Sequence, residues 1–187
     1  ETRLRSVLQL HGCAVVNGVL NAAEVAQFET LLKADLEEMV DVDAIETAPE
    51  AVQRAWKRFQ DEGVRAFPLA TASRLTVSAG FGMRHCVMQG RFAWAARTHP
   101  NVHRCFRQVY PGEQLVTSLD VTFFSPEGAR PQRSSCFSAH VDQNVYDCRE
   151  GLSECEVFQA ALYVWPADAV SSTTALWPGS QISAYPS

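Results

Sequence analysis

The sequence predicts an α+β chain in which helices come first and a mostly antiparallel sheet or barrel follows. Two observations carry that expectation. Up to about residue 112, apolar residues recur at spacings of three and four, the period of a helix with one buried face. From Leu115 onward the chain turns to β-branched and aromatic residues alternating with polar ones, the period of a half-buried strand. A length of 187 residues with 47% hydrophobic content suits one domain with a real core. Within residues 1–187 the expected division is a mainly helical 1–112 followed by strands over 113–187.

The elements follow in order. Cys13 to Val16 form a short apolar run that ends in a turn at Asn17-Gly18. Asn21-Ala-Ala-Glu24 then has the N-cap and the Glu three residues on of a capping box. Val25, Phe28, Leu32, Leu36 and Met39 make one apolar stripe, so the helix runs to about Val40. The acidic "DLEEMVDVD" beginning at Asp35 reads as a solvated helix end, because it lacks the alternating ligands and Gly of a calcium loop. Pro49 opens a second helix whose Val52, Trp56 and Phe59 are expected in the core, and Gly63 closes it. "AGFGMRHCVMQG" has no clean period and reads as loop, with a short strand before it. Two short helices follow, Arg91 to Thr98 and Pro100 to Val109, divided at His99-Pro100 and ended by Pro111-Gly112.

Beyond them, "LVTSLDVTFF" places Leu115, Thr117, Leu119, Val121 and Phe123 on one face. "CFSAHVD" alternates likewise, and "EVFQAALYVW" puts Phe158, Ala160, Leu162 and Val164 opposite Gln159 and Tyr163. "STTALW" is the fourth expected strand, before the Pro178-Gly179 turn.

Charge and composition narrow the partners. Sixteen basic against 21 acidic residues give a net charge of -5, with no basic run interleaved with aromatics, which argues against nucleic acid and for a small-molecule ligand. Nothing approaches the about 20 apolar residues of a membrane span, and "ETRLRSVLQLHG" lacks a signal-peptide core. The expectation is a soluble, intracellular (cytoplasmic) protein. Six cysteines without a Cys-x-x-Cys pair read as free thiols.

The chemically informative stretch is Ser138 to Asn144, "SAHVDQN". On a strand, His140 and Asp142 share a face with Cα atoms about 7 Å apart, close enough for one cation. An imidazole and a carboxylate are two corners of the facial triad that leaves open positions on non-haem Fe(II). Spacing alone also fits two unrelated polar residues.

The flanking segments resemble the phytanoyl-CoA dioxygenase-like Fe(II)/2-oxoglutarate oxygenases. "LQLHGCAVVNGVLNAAEVAQFETLL" is similar to that family's opening strand and helix, and "WAARTHPNVHRCFRQVYPGEQLVTSLDVTFF" to its helical stretch and first barrel strands. "AHVDQN" matches the His-x-Asp, and "TTALWPGSQ" the Pro-Gly-Ser-His turn, with Gln181 in place of His. The resemblance spans nearly all of the chain. It implies a double-stranded β-helix, a jelly-roll or cupin-like barrel buttressed by N-terminal helices. It further implies Fe(II) held by His140 and Asp142, 2-oxoglutarate as co-substrate, and hydroxylation of a small-molecule or lipid-like substrate. Phe137 and Gln159 would lie near the co-substrate, and Trp177 would line the substrate pocket.

Two departures stand out. No His follows His140, and the only Arg after Asp142 is Arg149, too early for the family's 2-oxoglutarate anchor. The expectation is therefore either a truncated oxygenase with an incomplete barrel or an inactive binding module that has lost the second metal His.

Other motifs have plainer readings. His99 and His103, four apart, and Cys105 invite zinc, but His99 precedes Pro100 and sits off the helix face. We read His99 as a capping residue and His103 as facing solvent. "RHC" at 84–86 reads as a loop cysteine rather than an activated thiolate. "GFG" is too short to cradle phosphate, and Ser180 has turn chemistry without a nucleophile elbow.

Overall fold

The computed structural model describes residues 3–67, 88–117, 122, 158–166, 174 and 176–180. Its first helix, α1 (Arg3–His11), has Leu4, Val7 and Leu8 turned partly inward. Gly12 follows with φ 74°, its amide donating to the Leu8 carbonyl at 2.7 Å.

Helix α2 (Ala22–Glu38) is the organising element. The capping box forms as the sequence requires: Glu24 N donates to Asn21 Oδ1 at 3.0 Å, and Asn21 N to Glu24 Oε2 at 2.8 Å. Its stripe buries Phe28, Leu32 and Leu36, with Met39 and Val40 just beyond. A one-turn helix, α3 (Val42–Glu46), starts at Asp41, which accepts from Ala44 N at 3.2 Å. Helix α4 (Glu50–Glu62) then lays Phe59 into the core against Trp56 and Phe67, with Lys33 over the Phe59 ring. Gly63 ends α4 at φ 90°, a left-handed conformation that suits Gly because a Cβ is strained there. A 3₁₀ turn, Val64–Ala66, buries Val64 completely.

Helices α5 (Arg91–Arg97) and α6 (Pro100–Val109) break at His99-Pro100 as expected. Phe92 of α5 meets Phe28 of α2 edge to face, ring centroids 5.5 Å apart. Helix α1 packs on α6, where Arg5 Nη1 donates to the Val109 carbonyl at 3.2 Å.

The double-stranded β-helix (jelly-roll) expectation is overturned. Of the described residues 60% are helical and 1% strand, so there is no sheet among them to form a barrel. The family-like opening strand is absent too: residues 13–18 are irregular, and the element before them is α1. Residues 115–117 and 158–165 belong to no helix or strand. For 158–165 the physical reason is visible in its packing. Val164 is buried, Phe158 and Leu162 are half-buried, and Gln159 and Tyr163 are exposed, as the alternation predicts, but Ala160, expected inward, is exposed, and Trp165, on the Tyr163 side by alternation, is half-buried. What covers the inner face is helix: Phe158 meets Tyr110, the residue that ends α6, with ring centroids 5.9 Å apart, and its backbone amide donates to Tyr110 Oη at 3.1 Å, while Trp165, on the other side, stacks parallel on Phe92 at 6.2 Å. Alternation reports half-burial, and a helical cover satisfies it as well as a second sheet does.

Candidate functional site

The proposed metal ligands His140 and Asp142, together with Phe137 and Gln181, lie outside the described residues. Among the described residues no group of three or more His, Cys, Asp or Glu could hold a metal ion. Gln159 is exposed, and Trp177 is 82% exposed in the turn that ends at Ser180. Neither lines the cleft between α2 and the α5–α6 corner.

That cleft has a volume of about 330 Å³ and is lined by Glu24, Phe28, Thr98 and His99 among others. Three of its polar side chains, Glu24, Thr98 and His99, are already committed. His99 Nδ1 accepts from Asn101 N at 3.2 Å and so caps α6. That bond leaves the ring proton on Nε2, which faces Glu24 Oε1 at 3.2 Å. The Asn101 side-chain Nδ2 donates to the Val19 carbonyl at 2.8 Å, tying the entry to α2 onto α6. Glu24 thereby joins two helix starts, and its carboxyl is held below the ordinary carboxylate range, first by the Asn21 backbone donor and then, against a desolvation cost, by His99. With both imidazole nitrogens bonded and Thr98 Oγ1 donating to the Trp94 carbonyl, neither His99 nor Thr98 stands as a free base or nucleophile. His99 is a capping residue and His103 is exposed, as read from the sequence. Cys13 and Cys105 are free thiols.

A second polar centre is one the sequence reading missed. Asp35, assigned there to a solvated helix end, is only 5% exposed. Its Oδ1 accepts from Arg91 N at 3.0 Å and its Oδ2 from Phe92 N at 2.8 Å, so a side chain of α2 caps the start of α5. Arg91 Nη1 stands 3.6 Å from Oδ1, and Arg91 also pairs with Glu38. The N-cap position of α5 is Gly90, which has no side chain to do this itself. A Cβ on Gly90 would stand 2.2 Å from Asp35 Oδ2, so Gly is required there for close approach, at an ordinary φ of -71°. The clue was available, since Asp35 falls three residues after Leu32 and four before Met39, on the buried stripe. A carboxylate there needs a partner.

No protein-family model, curated protein or solved structure matches the chain. No helix among the described residues is long and apolar enough to cross a membrane.

Proposed function

We propose that the chain is an Fe(II)- and 2-oxoglutarate-dependent dioxygenase acting on a small-molecule or lipid-like substrate, with His140 and Asp142 as two protein ligands of the iron. The observation that carries this reading is the His140-x-Asp142 pair, set in an ordered series of family-like segments from Leu8 to Gln181. The donor chemistry fits, because one imidazole and one carboxylate suit Fe(II) and leave positions for a co-substrate. Iron and 2-oxoglutarate would supply the oxidising chemistry; His140 and Asp142 would hold the metal, with Phe137 and Gln159 beside the co-substrate.

One observation favours a second reading. Gln181 stands where the family turn has His, and no other His follows His140. A chain that kept the helical core and lost the third ligand would be a non-catalytic binding module. Calorimetric titration with Mn(II), with and without 2-oxoglutarate, separates the two. The dioxygenase reading expects saturable binding, tightened by 2-oxoglutarate and abolished by His140→Ala or by Asp142→Ala. Heats indistinguishable from dilution in the folded wild-type chain would favour the binding module.

A further inference from the structure

Charge is segregated along this chain in a way its net value of -5 conceals. Residues 24–62 hold 11 of the 21 acidic residues, whereas residues 63–112 hold seven arginines and no Asp or Glu. Residues 2–23 add Arg3 and Arg5, again with no carboxylate. The fold brings part of this basic material together, because α1 packs against α6. Arg5 is used internally, on the last carbonyl of α6. Arg3, His103, Arg104 and Arg107 are exposed, and no carboxylate among the described residues pairs with any of them. His103, Arg104 and Arg107 lie three and four apart, on one side of α6.

The other end of α1 is apolar and equally uncovered. Leu10 is 67% exposed, and the Gly179 amide donates to the His11 carbonyl at 3.0 Å, holding the 176–180 turn against the end of the helix. That turn carries Leu176 and Trp177, 65% and 82% exposed. Arg3 and Leu10 are seven apart on α1, so one side of that helix carries a cation at one end and, beside the Trp177 turn, an apolar side chain at the other. These are the two features of a peripheral bilayer contact: cations at the phosphates and amphipathic or apolar side chains at the headgroup boundary. Folded nucleic acid or another soluble polyanion would use the arginines alone.

We propose that the α1–α6 face together with the Trp177 turn is a peripheral docking surface for a bilayer containing anionic lipid. Arginine suits the role, because its planar guanidinium pairs two N–H groups with a lipid phosphate. This inference is independent of the iron reading and needs no metal.

The test is co-sedimentation of the whole chain with phosphatidylcholine vesicles and with mixed phosphatidylserine–phosphatidylcholine vesicles. The expected result is binding to the mixed vesicles only, released at about 1 M salt, where the screening length falls to about 3 Å. Reversing Arg104→Glu and Arg107→Glu together should weaken it by about 25-fold or more, on about fivefold per arginine at an anionic surface. Trp177→Ser should weaken it as well. These side chains are exposed, and an unchanged far-UV circular dichroism spectrum checks that each variant folds. No binding to the mixed vesicles, equal binding to the neutral ones, or undiminished binding by the double reversal would overturn the proposal. Binding lost in the double reversal but untouched by Trp177→Ser would also overturn it, because the arginines alone would then make the contact and the combined surface would not exist.

Discussion

The two ends of α2 hold their neighbours by different means. At its N-terminus the bonds are mostly short-range in sequence: Asn21 and Glu24 cap each other across three residues, and the partly exposed Glu24 reaches the buried His99. Near its C-terminus a single buried carboxylate, Asp35, satisfies two backbone donors 56 and 57 residues away, in a space that exists only because residue 90 is glycine. The first arrangement can be replaced by water when it breaks. The second is replaced far less readily, because the Asp35 carboxylate and the Phe92 amide are buried beside Phe28, with only the Arg91 amide nearer the surface.

That difference orders the expected losses. Asp35→Ala leaves the Arg91 and Phe92 amides without an acceptor and should cost about 3 kcal/mol in chemical denaturation. Gly90→Ala should cost a similar amount by displacing the same carboxylate. The double variant should lose much less than the two added together, since both remove one interaction; additive losses would show that the glycine serves something else. Asn21→Ala, at the exposed cap, should cost about 1 kcal/mol. Glu24 contributes through its lowered titration: its stabilisation is complete above the ordinary carboxyl range and is lost as pH falls through the depressed folded value. Acid titrations of wild type and Glu24→Gln should therefore diverge only above that value and converge below it. Smallest of all, Arg58→Ala removes an exposed pair with Glu62 and should shift stability by less than about 0.5 kcal/mol.

The same contrast explains what could be read in the sequence. The capping box, the α2 stripe, the Pro49 and Gly63 limits of α4, the His99-Pro100 break and the capping role of His99 all rest on neighbours within a few residues, and all appear in the structure. Asp35 was misassigned because its partners lie in another helix, although its place on the apolar stripe marked it. The α1 helix was hidden behind a family resemblance that placed a strand after it, while Leu4, Val7 and Leu8 already had helical spacing. The sheet failed for a related reason. Alternation in 158–165 marked Phe158, Leu162 and Val164 as turned inward but failed at the exposed Ala160 and at Trp165, and it carries no information about whether a strand or a helix covers them. The candidate iron pair was legible only as two residues with suitable donors, two apart.

The central functional claim is that His140 ligates a metal, and pulsed electron paramagnetic resonance on the Mn(II)-loaded chain addresses it most directly. The account predicts a nitrogen coupling from a bound imidazole in the wild type that disappears in His140→Ala. The same nitrogen coupling in both proteins, or none in either, would contradict it.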